Sequence, residues 1–293
     1  MCTNQRWKTY FSAMWMPELM DIEFRQIAII ARKEFWERVR NRWVLAVAAI
    51  FTLFALVIAY FGAAQQGAVG FKSIELTIAS LVSLVIYLMP LIALILGYDA
   101  VVGERERGSL DLMLSLPITR AELLLGKFFG LSAALAFSTV AGFGLVGAIL
   151  ATQAGTAALY DYAGFMLSAI LMGMAFLSLA LLVSVLAKNK TSASGAAIAL
   201  WFVYVLVYDM LLVGLLVATD GQVVGALLPG LLLLNPADIF RILNVFSLSE
   251  VRSLYGLATV FPPTLTAPWV LGSAMLFWIV APLVLAMYKL KSE

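Results

Sequence analysis

Long, uniformly apolar stretches separated by short polar segments dominate the pattern of this chain. A helix needs about 20 mainly apolar residues to cross the hydrocarbon core of a bilayer, and six stretches reach that length. They are Val44–Gly62, Thr77–Tyr98, Lys127–Thr152, Gly164–Ala187, Ser194–Thr219 and Trp269–Tyr288. Lipid offers no partner for free backbone groups, and these stretches are too long and too uniform for the alternating strands of a barrel. The pattern therefore predicts six transmembrane helices, numbered here as spans 1 to 6.

Composition supports a membrane class and indicates an orientation. The chain is 63% hydrophobic and 12% charged, with a mean hydropathy of +1.00, whereas soluble domains carry roughly 25% charged residues. Of its 19 Lys and Arg residues, all but Lys72, Arg241 and Arg252 fall on the side of both termini. Because cytoplasmic loops are rich in Lys and Arg, we expect both termini in the cytoplasm. The predicted fold class is an all-α membrane protein, and the net charge of +2 reflects topology rather than a nucleic-acid site.

Residues 1–43 form a predicted cytoplasmic extension, and residues 44–293 form the six-span domain. Between Glu23 and Trp43, apolar residues recur every three or four positions, with basic residues off that face. The apolar stripe consists of Phe24, Ile27, Ala28, Ala31, Phe35 and Val39. The pattern predicts an amphipathic helix in the membrane interface, which also serves as an elbow into span 1. The first 20 residues lack the apolar core of a signal peptide, and Met20 is an alternative start.

A charged segment flanked by glycines lies between spans 2 and 3, and we call residues 99–122 the coupling segment. Gly103 and Gly108 permit sharp turns around residues 104–107. Residues 109–116 are predicted to form a short helix that ends at Pro117. Its apolar stripe consists of Leu110, Met113 and Leu114. Such a stripe, ringed by charges, fits a groove in another protein, but a solvated loop with incidental apolar residues is equally compatible.

Two further helix starts are marked by local chemistry. Thr119 and Glu122 have the spacing of a capping box that begins span 3. After span 5, Val223–Leu234 is apolar but too short to span, so we expect a re-entrant or interfacial segment. Asn235 and Pro236 then have the chemistry of an N-cap and a first helical residue. The helix that follows is expected to pack on the membrane surface or on a partner.

Candidate functional residues inside the spans are few. The chain has no Gly-x-x-x-x-Gly-Lys-[Ser/Thr] motif, so we expect no nucleotide site and no enzymatic activity. With one Cys and no His, we expect no metal site. Met172 and Met174 are candidates for a copper pathway, although packing explains them as well. Asp209 lies within span 5, where a carboxylate is costly, and it either lines a pathway or is a structural pin.

The coupling segment resembles the hallmark of ABC-2 type transporter permeases. The similarity lies in Gly-Glu-Arg-Glu-x-Gly-[Ser/Thr]-Leu, a following Pro and a Gly-Lys pair, as they stand at Gly103–Lys127. It extends to the elbow helix and the six spans. The resemblance implies a homodimer, and a separate cytoplasmic ATPase that binds ATP and Mg and receives the short helix in a cleft. The residues expected to couple to it are Gly103, Glu104, Arg105, Glu106, Gly108, Leu110, Met113, Leu114 and Pro117.

A narrower similarity points to one group of these permeases. Phe71–Leu81, Leu88–Leu94, Gly97–Ala100 and Leu231–Asn244 resemble permeases of the apparatus that matures nitrous oxide reductase. This implies the bacterial inner membrane, two copies of a NosF-like ATPase, a periplasmic NosD-like protein, and export of a sulfur species or copper. The residues expected to face that partner or form an outer gate are Asn235, Pro236, Asp238 and Arg241.

Three other functions remain compatible with the sequence. A secondary transporter would need several ionisable groups or broken helices near the midplane, where only Asp209 is a clear candidate. A mechanotransmission module would move a periplasmic partner without moving solute. An ABC-2 exporter of lipid, polysaccharide or drug would share the coupling segment, although the similarity at Leu231–Asn244 argues against it.

Overall fold

The computed structural model describes residues 23–40, 42–61, 74–219, 230–247 and 267–292. Within these residues all regular structure is helical. Six helices are long and apolar enough to cross a membrane, namely Val44–Phe61, Ile78–Glu106, Arg120–Ile149, Tyr160–Leu186, Lys190–Ala218 and Pro268–Lys291. The predicted all-α class and the six spans are therefore confirmed. Residues 1–22, Lys72, Arg252 and residues 223–229 lie outside the described residues.

The described helices follow one another in a simple order. They are α1 (Phe24–Arg40), α2 (Trp43–Phe61), α3 (Ile74–Gly97), α4 (Val102–Glu106), α5 (Ser109–Leu114), α6 (Arg120–Leu186), α7 (Lys190–Phe202), α8 (Tyr208–Ala218), α9 (Pro236–Ser247) and α10 (Pro268–Lys291). A π-helical turn, Val203–Val207, joins α7 and α8 into span 5. Helix α4 and helix α5 belong to the coupling segment, and the membrane face on which they lie is called the coupling face.

Spans 3 and 4 form the centre of the bundle. Both lie in α6, whose two halves pack against each other in antiparallel directions. The rings of Phe143 and Phe165 are 5.5 Å apart, and further along the pair Gly173 lies against Leu135. The Tyr162 hydroxyl also donates a hydrogen bond to the Phe143 carbonyl at 3.0 Å. Helices α1, α2, α3 and α10 all pack against α6. The hydrophobic core therefore follows this hairpin.

Span 5 is attached to the bundle far more loosely than span 4. In the most apolar part of each span, 67% of the residues are buried in span 4 but only 6% in span 5. Large apolar side chains of α8, including Met210, Val213 and Val217, are exposed on the surface of the subunit. Within the subunit, span 5 therefore has far less close packing than span 4.

The elbow helix α1 lies directly against span 3. A Cβ atom on Gly126 would lie 2.6 Å from the Ile30 Cβ, and one on Gly130 would lie 2.5 Å from the Ala31 carbonyl oxygen. Small residues allow helices to approach this closely. The packed face contains Ile27, Ile30 and Glu34, whereas Phe24 is exposed. The packed face is therefore rotated from the predicted stripe, which combined Ile27 with Phe24.

The segment around α9 folds into the bundle. Trp278, near the middle of span 6, donates its indole N–H to the Leu233 carbonyl at 3.1 Å. Further along, Asn244 donates to the Ser168 hydroxyl of span 4 at 2.9 Å. Of the predicted re-entrant or interfacial segment, Val223–Leu234, the structure describes only residues 230–234, and that interpretation stays a prediction. The expectation that α9 packs on the membrane surface or on a partner is wrong, because its core residues Ile239 and Phe240 are fully buried.

Candidate functional site

The backbone of the coupling segment follows its local sequence. Gly108 adopts a left-handed conformation (φ 69°) between α4 and α5, which glycine tolerates without a steric cost. The capping box is confirmed, because the Thr119 hydroxyl accepts from the Glu122 amide and the Glu122 carboxylate accepts from the Thr119 amide. Gly103 lies inside α4 and is not left-handed. Only one of the two predicted glycine turns therefore requires glycine.

The apolar side chains of α5 face both ways. Leu110 is only 6% exposed and belongs to the core, and Met113 and Leu114 pack against that core. The outward side chains are Leu112 of α5, 72% exposed, and Leu116 in the turn after it, 58% exposed. The predicted stripe therefore lies on the permease itself, and the structure corrects which leucines are available to a partner. Helical spacing identified a buried stripe but not the surface that buries it.

Glu104 faces inward and belongs to a buried ion cluster. The Lys127 ammonium lies 2.7 Å from the Glu104 carboxylate and 2.8 Å from the Glu34 carboxylate. We call these three residues the Lys127 cluster. It joins the coupling segment, span 3 and the elbow helix, and all three residues are buried. The expectation that Glu104 meets a partner protein is therefore replaced by an internal role.

A second contact holds the other end of the elbow helix. The Glu122 carboxylate, already part of the capping box, accepts a hydrogen bond from the Glu23 amide at 2.7 Å. Sequence reasoning missed Glu34 and the role of Lys127. A cue was present, since Gly126 and Gly130 have the spacing at which a second helix can approach, with Lys127 between them.

Arg105 and Glu106 reach the loop between spans 4 and 5. The Arg105 guanidinium donates to the Val185 and Ala187 carbonyls at 3.3 and 3.2 Å. The Glu106 carboxylate accepts from the Lys190 backbone amide at 2.7 Å. These contacts place a cation at the C-terminus of one helix and an anion at the N-terminus of the next, which both helix dipoles favour. Glu104, Arg105 and Glu106 thus each contact a different partner within the permease.

Another polar cluster lies between span 5 and α9. Arg241 contacts Asp209 and Asp238, both with an N···O distance of 2.7 Å. We call these three residues the Arg241 cluster. The side chains of Asp209 and Arg241 are 35% and 39% exposed, whereas that of Asp238 is buried. Asp209 is therefore linked to α9, a partner that the sequence analysis did not identify.

The N-cap of α9 is also tied to span 5. The Asn235 side-chain oxygen accepts from the Ala237 amide at 3.0 Å, which confirms the predicted cap. Its amide nitrogen donates to the Asp238 carboxylate and to the Tyr204 carbonyl, both at 2.9 Å. Asn235, Pro236 and Asp238 are buried. They are consequently unavailable to a surface partner in this conformation, and a role as an outer gate stays a prediction.

The candidate copper ligands lie in the core. Met172 is fully buried, and Met174 packs against the same cluster. Among the described residues, no group of three His, Cys, Asp or Glu side chains is arranged to hold a metal ion. Met172 and Met174 are thus packing residues in this conformation.

Comparison with known proteins is consistent with this architecture. Residues 28–293 match the model of the ABC-2 family transporter protein family. A curated relative from Pseudomonas aeruginosa, named probable ABC transporter permease protein NosY, is 46% identical over 263 residues, covering 88% of this chain and 94% of the relative. A relative of the same name from Stutzerimonas stutzeri is 43% identical over 265 residues, covering 89% and 96%. The chain therefore belongs to the ABC-2 transporter family, as a membrane permease subunit similar to NosY.

Proposed function

We propose that this permease supports maturation of the copper centre of nitrous oxide reductase, as a homodimer in the bacterial inner membrane. Two copies of a NosF-like ATPase bind at the coupling face, which lies in the cytoplasm with both termini. ATP and Mg bind to that ATPase, and a NosD-like protein lies in the periplasm. The similarity to two relatives named NosY supports this assignment.

The proposal rests on two exposed leucines, Leu112 and Leu116, which lie next to a helix that is held in place by internal contacts. Leu112 and Leu116 point away from the permease, while Glu104 in the preceding helix is fixed by Lys127. Apolar side chains that become buried at the centre of an interface provide much of its affinity. Leu112, Leu116 and the exposed Pro117 therefore form the docking surface for the ATPase, and the charged motif holds that surface in position.

A sulfur species is the cargo that we favour over copper. Cu(I) prefers thiolate and thioether ligands, and the thioethers of Met172 and Met174 are enclosed in the core. Both cargoes remain distinguishable by their products in the matured reductase.

Mechanotransmission is the second candidate function. The observation that favours it is the connection of span 5 to α9 through Asp209 and Arg241. Movement of the coupling segment would then be transmitted to the opposite face of the membrane without any pathway for a solute. In that case the periplasmic partner would change its conformation while the permease moved no cargo.

Reductase maturation in cells that lack the native permease tests the proposed role and distinguishes the two cargoes. Cells complemented with this chain are compared with cells carrying Leu112→Ser/Leu116→Ser, and copper and sulfide in the purified reductase are quantified separately. We expect the variant to yield a reductase that lacks sulfide but keeps some copper. Loss of copper first would favour the copper pathway. A normal reductase from the variant would contradict the proposal.

A further inference from the structure

We propose that span 5 is a lever whose attachment points, Lys190 and Asp209, pass movement of the coupling segment to α9. This inference deepens the proposed function, because it needs an ATP-driven movement at the coupling face. Span 5 has very few buried residues in its apolar part. A helix held by few packing contacts can change its tilt without repacking a core, provided that polar contacts define its position.

The attachment at the coupling face involves two acids of the coupling segment. The Glu106 carboxylate accepts from the Lys190 amide at 2.7 Å, and the Lys190 ammonium lies 3.1 Å from the Asp99 carboxylate. The same ammonium lies 5.9 Å from the centre of the Tyr98 ring, within cation–π range. A displacement of the coupling segment therefore acts on the first residue of span 5.

A central contact gives span 5 a pivot. The Trp201 indole donates to the Tyr87 carbonyl of span 2 at 2.9 Å. Tyr87 precedes Pro90, which lies inside that helix and disturbs its hydrogen-bond ladder. With a rise of about 1.5 Å per residue, Trp201 lies roughly 16 Å from Lys190 and roughly 12 Å from Asp209. If span 5 tilts about this point as a rigid rod, Asp209 would move roughly three quarters as far as Lys190, in the opposite direction.

The attachment to α9 follows a π-helical turn. Val203–Val207 lies between the pivot and Asp209, and π turns are frequent at functional sites. Asn235 donates to the Tyr204 carbonyl within this turn at 2.9 Å, and Asp209 holds Arg241 at 2.7 Å. The Tyr208 hydroxyl also donates to the Leu231 carbonyl at 2.6 Å. Span 5 therefore contacts the segment before α9, the N-cap of α9 and Arg241.

Distance measurements between spin labels can test the order of this path. The permease carrying Cys2→Ser is reconstituted with its ATPase in nanodiscs and labelled at Val217→Cys in span 5 or Leu234→Cys before α9, both exposed positions. Interprotomer distances are compared with ADP and with ATP plus vanadate. We expect both labels to shift in the otherwise unsubstituted permease, since Val217 lies beyond the pivot.

Two variants should then separate the steps of the path. Glu106→Ala combined with Lys190→Gln should abolish most of the shift at both labels, because it removes both the Glu106 bond to the Lys190 backbone amide and the ion pair between Lys190 and Asp99. Tyr208→Phe/Asp209→Asn/Asn235→Ser should keep the shift at Val217 and abolish most of it at Leu234, because it weakens all three bonds of span 5, those to Leu231, Arg241 and Asn235. Lys33→Gln, which removes an exposed pair with Glu37, is the matched control and should leave both shifts unchanged.

The outcomes distinguish the lever from the proposed function. A shift at Val217 that survives Glu106→Ala/Lys190→Gln, or a shift at Leu234 that survives Tyr208→Phe/Asp209→Asn/Asn235→Ser, would overturn the lever while leaving the ATPase-driven permease intact. Unsubstituted permease whose ATPase binds and hydrolyses ATP without moving either label would also overturn it. Failure of the ATPase to bind the unsubstituted permease would instead overturn the proposed function and the lever with it.

Discussion

The Lys127 cluster and the Arg241 cluster use the same chemistry in different surroundings. Each contains one cation and two carboxylates, with N···O distances of 2.7 to 2.8 Å. The Lys127 side chain is 2% exposed, whereas those of Asp209 and Arg241 are 35% and 39% exposed. Burial makes an ion pair difficult to break, because a lost partner leaves an uncompensated charge. The Lys127 cluster is therefore a fixed brace, and the Arg241 cluster is an adjustable joint.

Removing the central cation should have the largest effect on stability. Lys127→Met leaves the carboxylates of Glu34 and Glu104 buried without their cation, and we expect a loss of about 3–5 kcal/mol in unfolding free energy. Thermal unfolding of the purified permease measures the change. A variant that also carries Glu34→Gln and Glu104→Gln should recover most of the loss, because no buried charge remains. Unchanged unfolding of Lys127→Met would show that the cluster is not a brace.

Separating the elbow helix from span 3 should have the next largest effect. Gly130→Ala places a methyl group 2.5 Å from the Ala31 carbonyl oxygen, so we expect a loss of about 1–3 kcal/mol from overpacking. Gly144→Ala is the matched control, because a Cβ atom there meets nothing within 4 Å. It should be neutral or slightly stabilising, since alanine favours a helix over glycine. Equal unfolding temperatures for the two variants would argue against close helix contact at Gly130.

Replacing Asp209 in the Arg241 cluster should lower the free energy of unfolding only slightly. Asp209→Asn leaves Arg241 paired with Asp238, so no charge loses its last partner, and a lost or weakened hydrogen bond costs about 1 kcal/mol. The same unfolding assay should therefore show a much smaller change than that of Lys127→Met. A loss as large as that of Lys127→Met would contradict the difference between the clusters.

Local sequence patterns predicted the helices and their caps, whereas the two ion clusters depend on contacts between residues far apart in the sequence. The six spans, the capping box at Thr119 and the N-cap at Asn235 depend on residues close in sequence, so spacing was sufficient. Glu34 and Lys127 meet only because α1 crosses span 3. Likewise, Asp209 meets Arg241 only because the segment before α9 returns into the bundle. Sequence spacing could not show which of the charged residues would find partners inside the subunit.

The two faces of α5 illustrate the same limit. Periodicity correctly grouped Leu110, Met113 and Leu114, but it could not distinguish burial in the permease from burial in a partner. Leu112 and Leu116 lie off that stripe and remain exposed. An apolar residue outside the predicted buried face, in a segment otherwise rich in charge, was the available cue.

Binding of the ATPase to permease variants tests the central claim, that leucines dock and charges brace. Affinity is measured in nanodiscs for Leu112→Ser/Leu116→Ser and for the neighbouring control Ser115→Ala, which alters another exposed residue. We predict that the leucine variant binds at least about tenfold more weakly, a cost of about 1.4 kcal/mol, with an unchanged unfolding temperature, while Ser115→Ala binds normally. Normal binding of the leucine variant would contradict the account.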